Sequence, residues 1–444
     1  MREKRSQFGS KLGMIAAAAG SAVGLGNIWR FPSETADGGG AIFILVYIFC
    51  VLLFGVPLMV AEFLLGRSSR ANAAGAFHKL AAGTQWKWVG RVGVLSGFVI
   101  LGFYMVVCGW TLDYFFQSIT GNIVNVTDFG AHFSSLLDNK IKQILLMLVF
   151  LLLTAYFIYA GVQKGIESSA KVMMPLLFLL LIVMSIRAMT LNGAGEGLAF
   201  LFKPNLAEVK STVFIDAMGQ AFFSLSLGMG CMLTYASYFN KETNLIKTSI
   251  QVSILDTIVA LMAGIIIFSS AFALTNNTDT IVSELVAGGP GLLFITIPDL
   301  FNQMPGSAIW SSLFFLLLAI AALTSTISLM EVVTAYLLEE YKMTRKRALQ
   351  YIVSGVFVLG VFSAISSGFF NFLDIISAKF MMPIGGLFIS LFVGWYLDKK
   401  IIQVEITNDG SLRFGIGFLK AYSFILKFLA PAGILVIFLY GLLG

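Results

Sequence analysis

Charge is what this 444-residue sequence has least of. Asp, Glu, Lys and Arg make up 12% of it, while 58% of its residues are hydrophobic. Ordinary globular chains are about a quarter charged, and a soluble fold cannot hide this much apolar surface. Histidine is nearly absent. His78 and His132 fall in separate predicted loops, which argues against a histidine-built metal or catalytic cluster. Cysteine is equally sparse: Cys50, Cys108 and Cys231 lie far apart with no metal-ligand spacing, so neither a disulfide framework nor a zinc site is expected. The apolar runs lack the two-residue alternation that a membrane barrel needs. The sequence also lacks a short leader-like apolar segment. Its first eleven residues are polar and basic, and the stretch that follows is too long for a signal peptide, so none is expected. No nucleophile–base or metal constellation appears, so an enzyme is not expected.

What the sequence has is long apolar runs. Residues Ile42–Leu65, Gln143–Ile158 and Ala421–Leu443 are each nearly free of charge. Roughly 20 apolar residues in a helix span a bilayer, and in lipid a helix satisfies its own backbone groups. The expectation is an all-α membrane protein with eleven transmembrane helices, near residues 11–36, 41–68, 88–117, 142–161, 166–187, 212–238, 246–273, 308–340, 347–366, 369–397 and 418–442. The net charge of +6 does not indicate nucleic acid, because the basic residues sit in short loops. Arg2, Lys4, Arg5 and Lys11 precede the first helix. Arg67, Arg70, Lys79, Lys87 and Arg91 follow the second, Lys342, Arg345, Lys346 and Arg347 the eighth, and Lys399 and Lys400 the tenth. All fall on one side, which places the amino terminus in the cytoplasm and, after eleven crossings, the carboxyl terminus outside. The acidic stretch 274–307, with Gly288-Gly289-Pro290-Gly291, is expected to form an external cap with short helices. No separate soluble domain is visible; residues 1–444 read as one transporter domain.

Two of the apolar segments are interrupted by glycine at matching places. The first reads Ala19-Gly20-Ser21-Ala22-Val23-Gly24-Leu25-Gly26-Asn27 and the sixth Ser224-Leu225-Ser226-Leu227-Gly228-Met229-Gly230. Each opens a set of five helices, 11–187 and 212–397, with helix eleven (418–442) outside them. This suggests a five-plus-five inverted repeat with discontinuous helices 1 and 6 and a binding site at mid-membrane. Glycine costs up to about 1 kcal/mol in a helix interior, so such clusters suggest backbone held open for ligands; close helix packing through small residues is the other reading.

The run Lys11-Leu-Gly-Met-Ile-Ala-Ala-Ala-Ala-Gly-Ser-Ala-Val-Gly-Leu-Gly-Asn-Ile-Trp-Arg-Phe-Pro32 resembles the first-helix signature of the neurotransmitter:sodium symporter family. The resemblance continues through Pro57–Arg67, Tyr104–Trp110, Gln220–Tyr238 and Ala322-Leu323-Thr324-Ser325, covering helices one to ten. The chain departs from most of the family by ending after eleven helices; the twelfth lies outside the transporting repeats.

The resemblance implies two sodium sites. One uses Ala22, Asn27, Ser224 and Asp256 together with the substrate carboxylate. The other uses the carbonyls of Gly20, Val23 and Ala321 and the hydroxyls of Thr324 and Ser325. A hydroxyl in a membrane helix more commonly bonds back to its own helix, and that is the alternative for Thr324 and Ser325. The substrate carboxylate is expected at the amides of Leu25 and Gly26 and at Tyr104. Its amino group is expected near Ala22, Phe223 and Ser325. The pocket wall is then Ala22, Gly24, Ile100, Tyr104, Phe223, Ser226, Met229, Thr326 and Leu329. Arg30 and Asp374 are implied to close the external path above Phe223. Arg5 and Glu339 are implied to close the cytoplasmic path, with Phe8 as its plug and Ser237 and Tyr238 at the same end. Glu62 matches a carboxylate that braces broken helix six, and Glu331, without a functional match, reads as part of a solvated vestibule face. Gly165 and Pro175 match a spacing at which helix five unwinds in similar members; a proline kink is the plainer alternative.

The expected activity is sodium-coupled import of hydrophobic or aromatic L-amino acids by alternating access across a bacterial inner membrane. No chloride is expected: in the shell of Tyr47, Gln220, Ser224 and Ala260, alanine stands where some bacterial members carry glutamate, and Asp256 lies four residues earlier on the same helix face. The rival readings are a proton-coupled amino acid permease of related fold and a non-transporting amino acid sensor.

Overall fold

The computed structural model describes residues 6–205, 210–274 and 278–443. Among them nine helices are long and apolar enough to cross a membrane: α2 (Ala41–Ser69), α3 (Lys87–Ile119), α4 (Lys140–Tyr159), α5 (Val162–Met189), α7 (Leu245–Leu274), α8 (Ser307–Glu340), α9 (Arg345–Ile365), α10 (Ser367–Tyr396) and α11 (Gly417–Leu442). The first segment, α1, is a pair, Lys11–Ala22 and Gly26–Asp37, bent by 54° at its break. The sixth, α6, falls into Val213–Ser224 and Cys231–Ala236, too short to cross separately. Every predicted segment is therefore helical, with ends within about four residues of the expected ones.

Both breaks fall at the glycine clusters. Ser10 starts α1 by accepting the Gly13 amide on its hydroxyl, and Val23 leaves the helix in an extended conformation. In α6 the interruption Leu225–Gly230 alternates through left-handed backbone, with φ 53° at Ser226, 81° at Gly228 and 78° at Gly230. Glycine tolerates that region freely. At Gly228 a side chain is excluded twice over, because a Cβ would run into the Met382 carbonyl and lie 2.8 Å from the Gly386 amide.

The two broken segments sit at the centre. The lower half of α1 packs on α5, α7 and α8, and the two halves of α6 lie against α2. The longest helices, α3 and α8, run along each other with α4 and α9 behind them. Several short helices were not anticipated, among them Ala73–Leu80, Phe129–Asp138, Ala194–Phe202 and Lys399–Thr407. The expected short helices of 274–307 are present as Thr278–Ala287 and Ile297–Asn302. The amphipathic helix Lys399–Thr407 is held by Arg67 at the end of α2. That buried guanidinium pairs with the Glu405 carboxylate at 2.5 Å and also reaches Asn408 and the Thr243 carbonyl.

In α5 the chain does not unwind. It continues through Pro175, and its irregularity is a wide π turn at Val162–Glu167 entered from Gly161 at φ 87°. Gly165 lies in that turn, with its Cα against the Phe157 carbonyl.

Candidate functional site

The broken halves of α1 and α6 enclose a cavity of about 70 Å³ with α3, α8 and α10. Of the thirteen residues expected at the substrate, twelve line it: Ala22, Gly24, Leu25, Gly26, Ile100, Tyr104, Phe223, Ser224, Ser226, Met229, Ser325 and Leu329. Thr326 does not. It is fully buried on another side of α8, where its hydroxyl meets that of Thr154 at 3.0 Å. Residues 325, 328 and 329 share one helical face, and 326 is turned about 100° from 325 at 3.6 residues per turn. Ser328 lines the cavity in its place, together with Ser21, Trp29, Phe103, Asp374, Ser377 and Met382. The repeat of 3.6 from Ser325 was the signal that could have found Ser328.

At one end of the cavity the break in α1 meets Tyr104. The break in α1 frees backbone amides, and the Leu25 amide donates to the Tyr104 hydroxyl at 3.2 Å. Beside it an oxygen cluster joins the two breaks. Asn27 donates through Nδ2 to Asp256 Oδ1 at 2.8 Å and to Ser224 Oγ at 2.9 Å, and accepts the Gly24 amide at 3.0 Å. Ser224 donates to Asp256 Oδ2 at 2.6 Å, and the Tyr47 hydroxyl donates to the same oxygen at 3.3 Å. Asp256 is fully buried with no basic side chain among these partners. A buried carboxylate needs compensation, and a carboxylate set among hydroxyls and a side-chain amide at unwound helices suits a hard monovalent cation.

A second group of oxygens lies between α1 and α8. The Ser325 hydroxyl donates to the Val23 carbonyl at 3.0 Å, and Gly20 packs directly on Thr324. The Thr324 hydroxyl bonds back to the Ala321 carbonyl at 3.0 Å, the common behaviour of a membrane threonine; it also brings these two expected ligands side by side.

Glu62 acts on α6 as the sequence suggested. Fully buried in α2, its two oxygens accept the Gly228 amide at 2.8 Å and the Leu233 amide at 3.3 Å. The left-handed turn at Ser226 is tied by its hydroxyl to the Ser21 carbonyl at 2.8 Å.

Above the cavity the Arg30 guanidinium stacks on the Phe223 ring, 4.8 Å from its centroid. It forms no ion pair with Asp374. Its partner is Glu34, at 3.3 Å and one turn along the same helix, and a four-residue neighbour is reached at little entropic cost. Asp374 lines the cavity within electrostatic range of Arg30.

Phe8 packs at the opposite end. Its buried ring meets Tyr235, Tyr238 and Phe239 with centroids 6.0–6.2 Å apart, and its amide donates to the Tyr238 carbonyl. Arg5 lies outside the described residues. Glu339 accepts from the Asn72 amide at 2.9 Å and its side chain at 3.1 Å. The Ser237 hydroxyl donates back to the Thr234 carbonyl. Glu331 overturns the solvated reading: it is fully buried, accepts the Tyr238 hydroxyl at 2.7 Å, and holds Arg345 through both oxygens at 2.9 and 3.0 Å. Glu167, in the π turn of α5, adds a further catch, accepting the Gly9 amide at 2.6 Å and the Ser10 hydroxyl at 2.8 Å.

A cavity between two broken helices is the geometry of an inverted-repeat transporter, and sequence comparison gives the lineage. The family model described as "Sodium:neurotransmitter symporter family" matches residues 5–129 and 130–443. The chain belongs to the sodium:neurotransmitter symporter family. This symporter is 35% identical over 450 residues to the sodium-dependent transporter YhdH of Bacillus subtilis, covering 98% of each chain. It is 34% identical to a sodium-dependent transporter of Haemophilus influenzae, covering 99% of each. With the sodium- and chloride-dependent GABA transporter 2 of Rattus norvegicus it shares 28% over 88% of its own length and 73% of the relative's. Among solved structures, MhsT in complex with L-phenylalanine matches with a TM-score of 0.88 and 40% identity, over 99% of this chain and all of that one. The symporter is thus a multi-pass membrane transporter and not an enzyme.

Proposed function

We propose that this symporter imports hydrophobic or aromatic L-amino acids by sodium-coupled, chloride-independent alternating access. The observation that carries the reading is the oxygen cluster of Asn27, Ser224 and Asp256, which ties both helix breaks to the floor of the cavity. Sodium bound there, completed by Ala22 and the substrate carboxylate, would be neutralised by Asp256. The second sodium would sit among Gly20, Val23, Ala321, Thr324 and Ser325. With the amino terminus in the cytoplasm, Phe8 seals the inner path and Arg30 on Phe223 forms the outer lid.

A tenfold sodium gradient is worth about 1.4 kcal/mol and 100 mV about 2.3 kcal/mol per charge. Two ions therefore supply roughly 7 kcal/mol, enough for strong accumulation of a zwitterion. In proteoliposomes, uptake is expected to vanish when choline or potassium replaces sodium; undiminished uptake under that exchange would refute the coupling.

The substrate class follows from the wall. Ile100, Phe103, Met229, Leu329 and Met382 present apolar surface, so a charged side chain would be buried unpaired at several kcal/mol. The free volume is small, and bulky side chains are accommodated by Met229. Methionine is adaptable, and this one stands between two left-handed glycines. The neighbour MhsT, with its bound L-phenylalanine, supports the same class. Leucine, phenylalanine and tryptophan are expected to compete with labelled leucine uptake. Glycine should compete weakly, since each missing methylene forfeits about 0.8 kcal/mol. Strong competition by lysine or glutamate with none by tryptophan would remove the pocket assignment.

A further inference from the structure

The cavity wall holds a buried hydroxyl without a strong partner. Ser21 is 2% exposed, lines the cavity, and its Oγ makes no hydrogen bond. Its backbone is fixed, since the Ser21 carbonyl accepts the Ser226 hydroxyl. The Cys231 thiol lies within reach of both Ser21 and Ser328, but a thiol is only a weak donor and a weak acceptor. A buried hydroxyl left in this state is unfavourable until something satisfies it.

Ser328 is the second polar group of this part of the wall. It is 1% exposed, and its hydroxyl proton is directed to the Ser325 carbonyl at 2.7 Å and the Thr324 carbonyl at 3.4 Å. With its proton committed to α8, its oxygen has two acceptor positions, one of them facing the Tyr235 hydroxyl and the Cys231 thiol. Ser328 lies three residues after Ser325, about 4.5 Å along α8 at 1.5 Å per residue, and Ser21 stands across the α1 break from Leu25, so both are set back from the expected carboxylate end. The groups around them, Ile100, Met229 and Leu329, are apolar.

We propose that Ser21 and Ser328 form a polar end to the side-chain cavity that selects aromatic amino acids carrying a hydrogen-bonding group on the ring, tyrosine ahead of phenylalanine. The inference rests on the amino acid reading given above. A tyrosine hydroxyl donates to one serine oxygen and accepts from Ser21; a phenylalanine ring leaves Ser21 unsatisfied. A site built around a polar group discriminates against the ligand that lacks it more sharply than an apolar site rejects an extra atom.

The test is the ratio of inhibition constants for tyrosine and phenylalanine against labelled leucine uptake. In the wild-type protein tyrosine is expected to be the stronger competitor by roughly threefold to tenfold. Ser21→Ala should bring the ratio to about one, and Ser21→Thr, which keeps the hydroxyl, should preserve the preference. Ser328→Ala gives an independent reading should the first variant fail to fold. Phenylalanine equal to or better than tyrosine in the wild-type protein would overturn the proposal. So would a ratio unchanged in both alanine variants, which would assign Ser21 to structural pairing with Cys231. Loss of wild-type leucine uptake on its own would count against the amino acid reading instead.

Discussion

Asp256→Asn is expected to abolish uptake in chloride-free medium, and addition of chloride should restore part of it. Asp256 supplies the negative charge of the oxygen cluster, and Ser224, Tyr47 and Asn27 all donate to its carboxylate. Asparagine removes the charge and turns a donor toward one of those hydroxyls. A cation bound there would then be buried without a counter-charge, at several kcal/mol, or more than about a hundredfold in affinity at 1.4 kcal/mol per decade. An anion could take its place beside Tyr47, Ser224 and Gln220, whose side-chain amide is loosely held, donating only at 3.4 Å to the Gly26 carbonyl. The measurement is sodium-driven uptake of leucine in gluconate and in chloride. Wild-type behaviour is expected to be the same in both. A variant with wild-type sodium affinity in gluconate would remove Asp256 from the cation site.

Glu62→Ala is expected to destabilise the protein and weaken substrate binding together. The two amides that Glu62 accepts, from Gly228 and Leu233, would be left buried and unpaired, at about 1–3 kcal/mol each. The truncation also opens a void in α2. Without the brace, the left-handed stretch that carries Ser226 and Met229 loses its register against the cavity. Glu62→Gln keeps one acceptor and should lose about half as much. Thermal unfolding in detergent with and without leucine reads both effects. An alanine variant as stable as the wild type, with unchanged ligand-induced stabilisation, would assign Glu62 a passive role.

The membrane helices were legible because length and hydropathy alone decide them, and the breaks because glycine in a helix has few other uses. Twelve of the wall residues followed from the family pattern, and Thr326 failed because that pattern was followed past the point where helical phase turns it toward Thr154. Glu331 was misread for a different reason. Its partners, Tyr238 and Arg345, stand 93 and 14 residues away, and nothing local in the sequence announces a carboxylate satisfied by distant groups. Arg30 was paired with Asp374 alone, and the carboxylate of Glu34 a turn away on its own helix took that place. The catch at Glu167 was hidden because the π turn that presents it depends on backbone geometry rather than composition.

The two closures differ in strength, and the difference has a kinetic meaning. At the Phe8 end, opening must break the bonds of Glu167 to Gly9 and Ser10, of Phe8 to Tyr238, and of Glu331 to Tyr238 and Arg345. At the Arg30 end, the described residues show a guanidinium lying on a ring and no ion pair to Asp374. With each bond worth about 0.5–1.5 kcal/mol net, the Phe8 end is expected to be the costlier of the two to open, and its release to limit turnover. Changes far from the cavity that loosen this seal would raise the cycling rate while leaving the first encounter with substrate as it was.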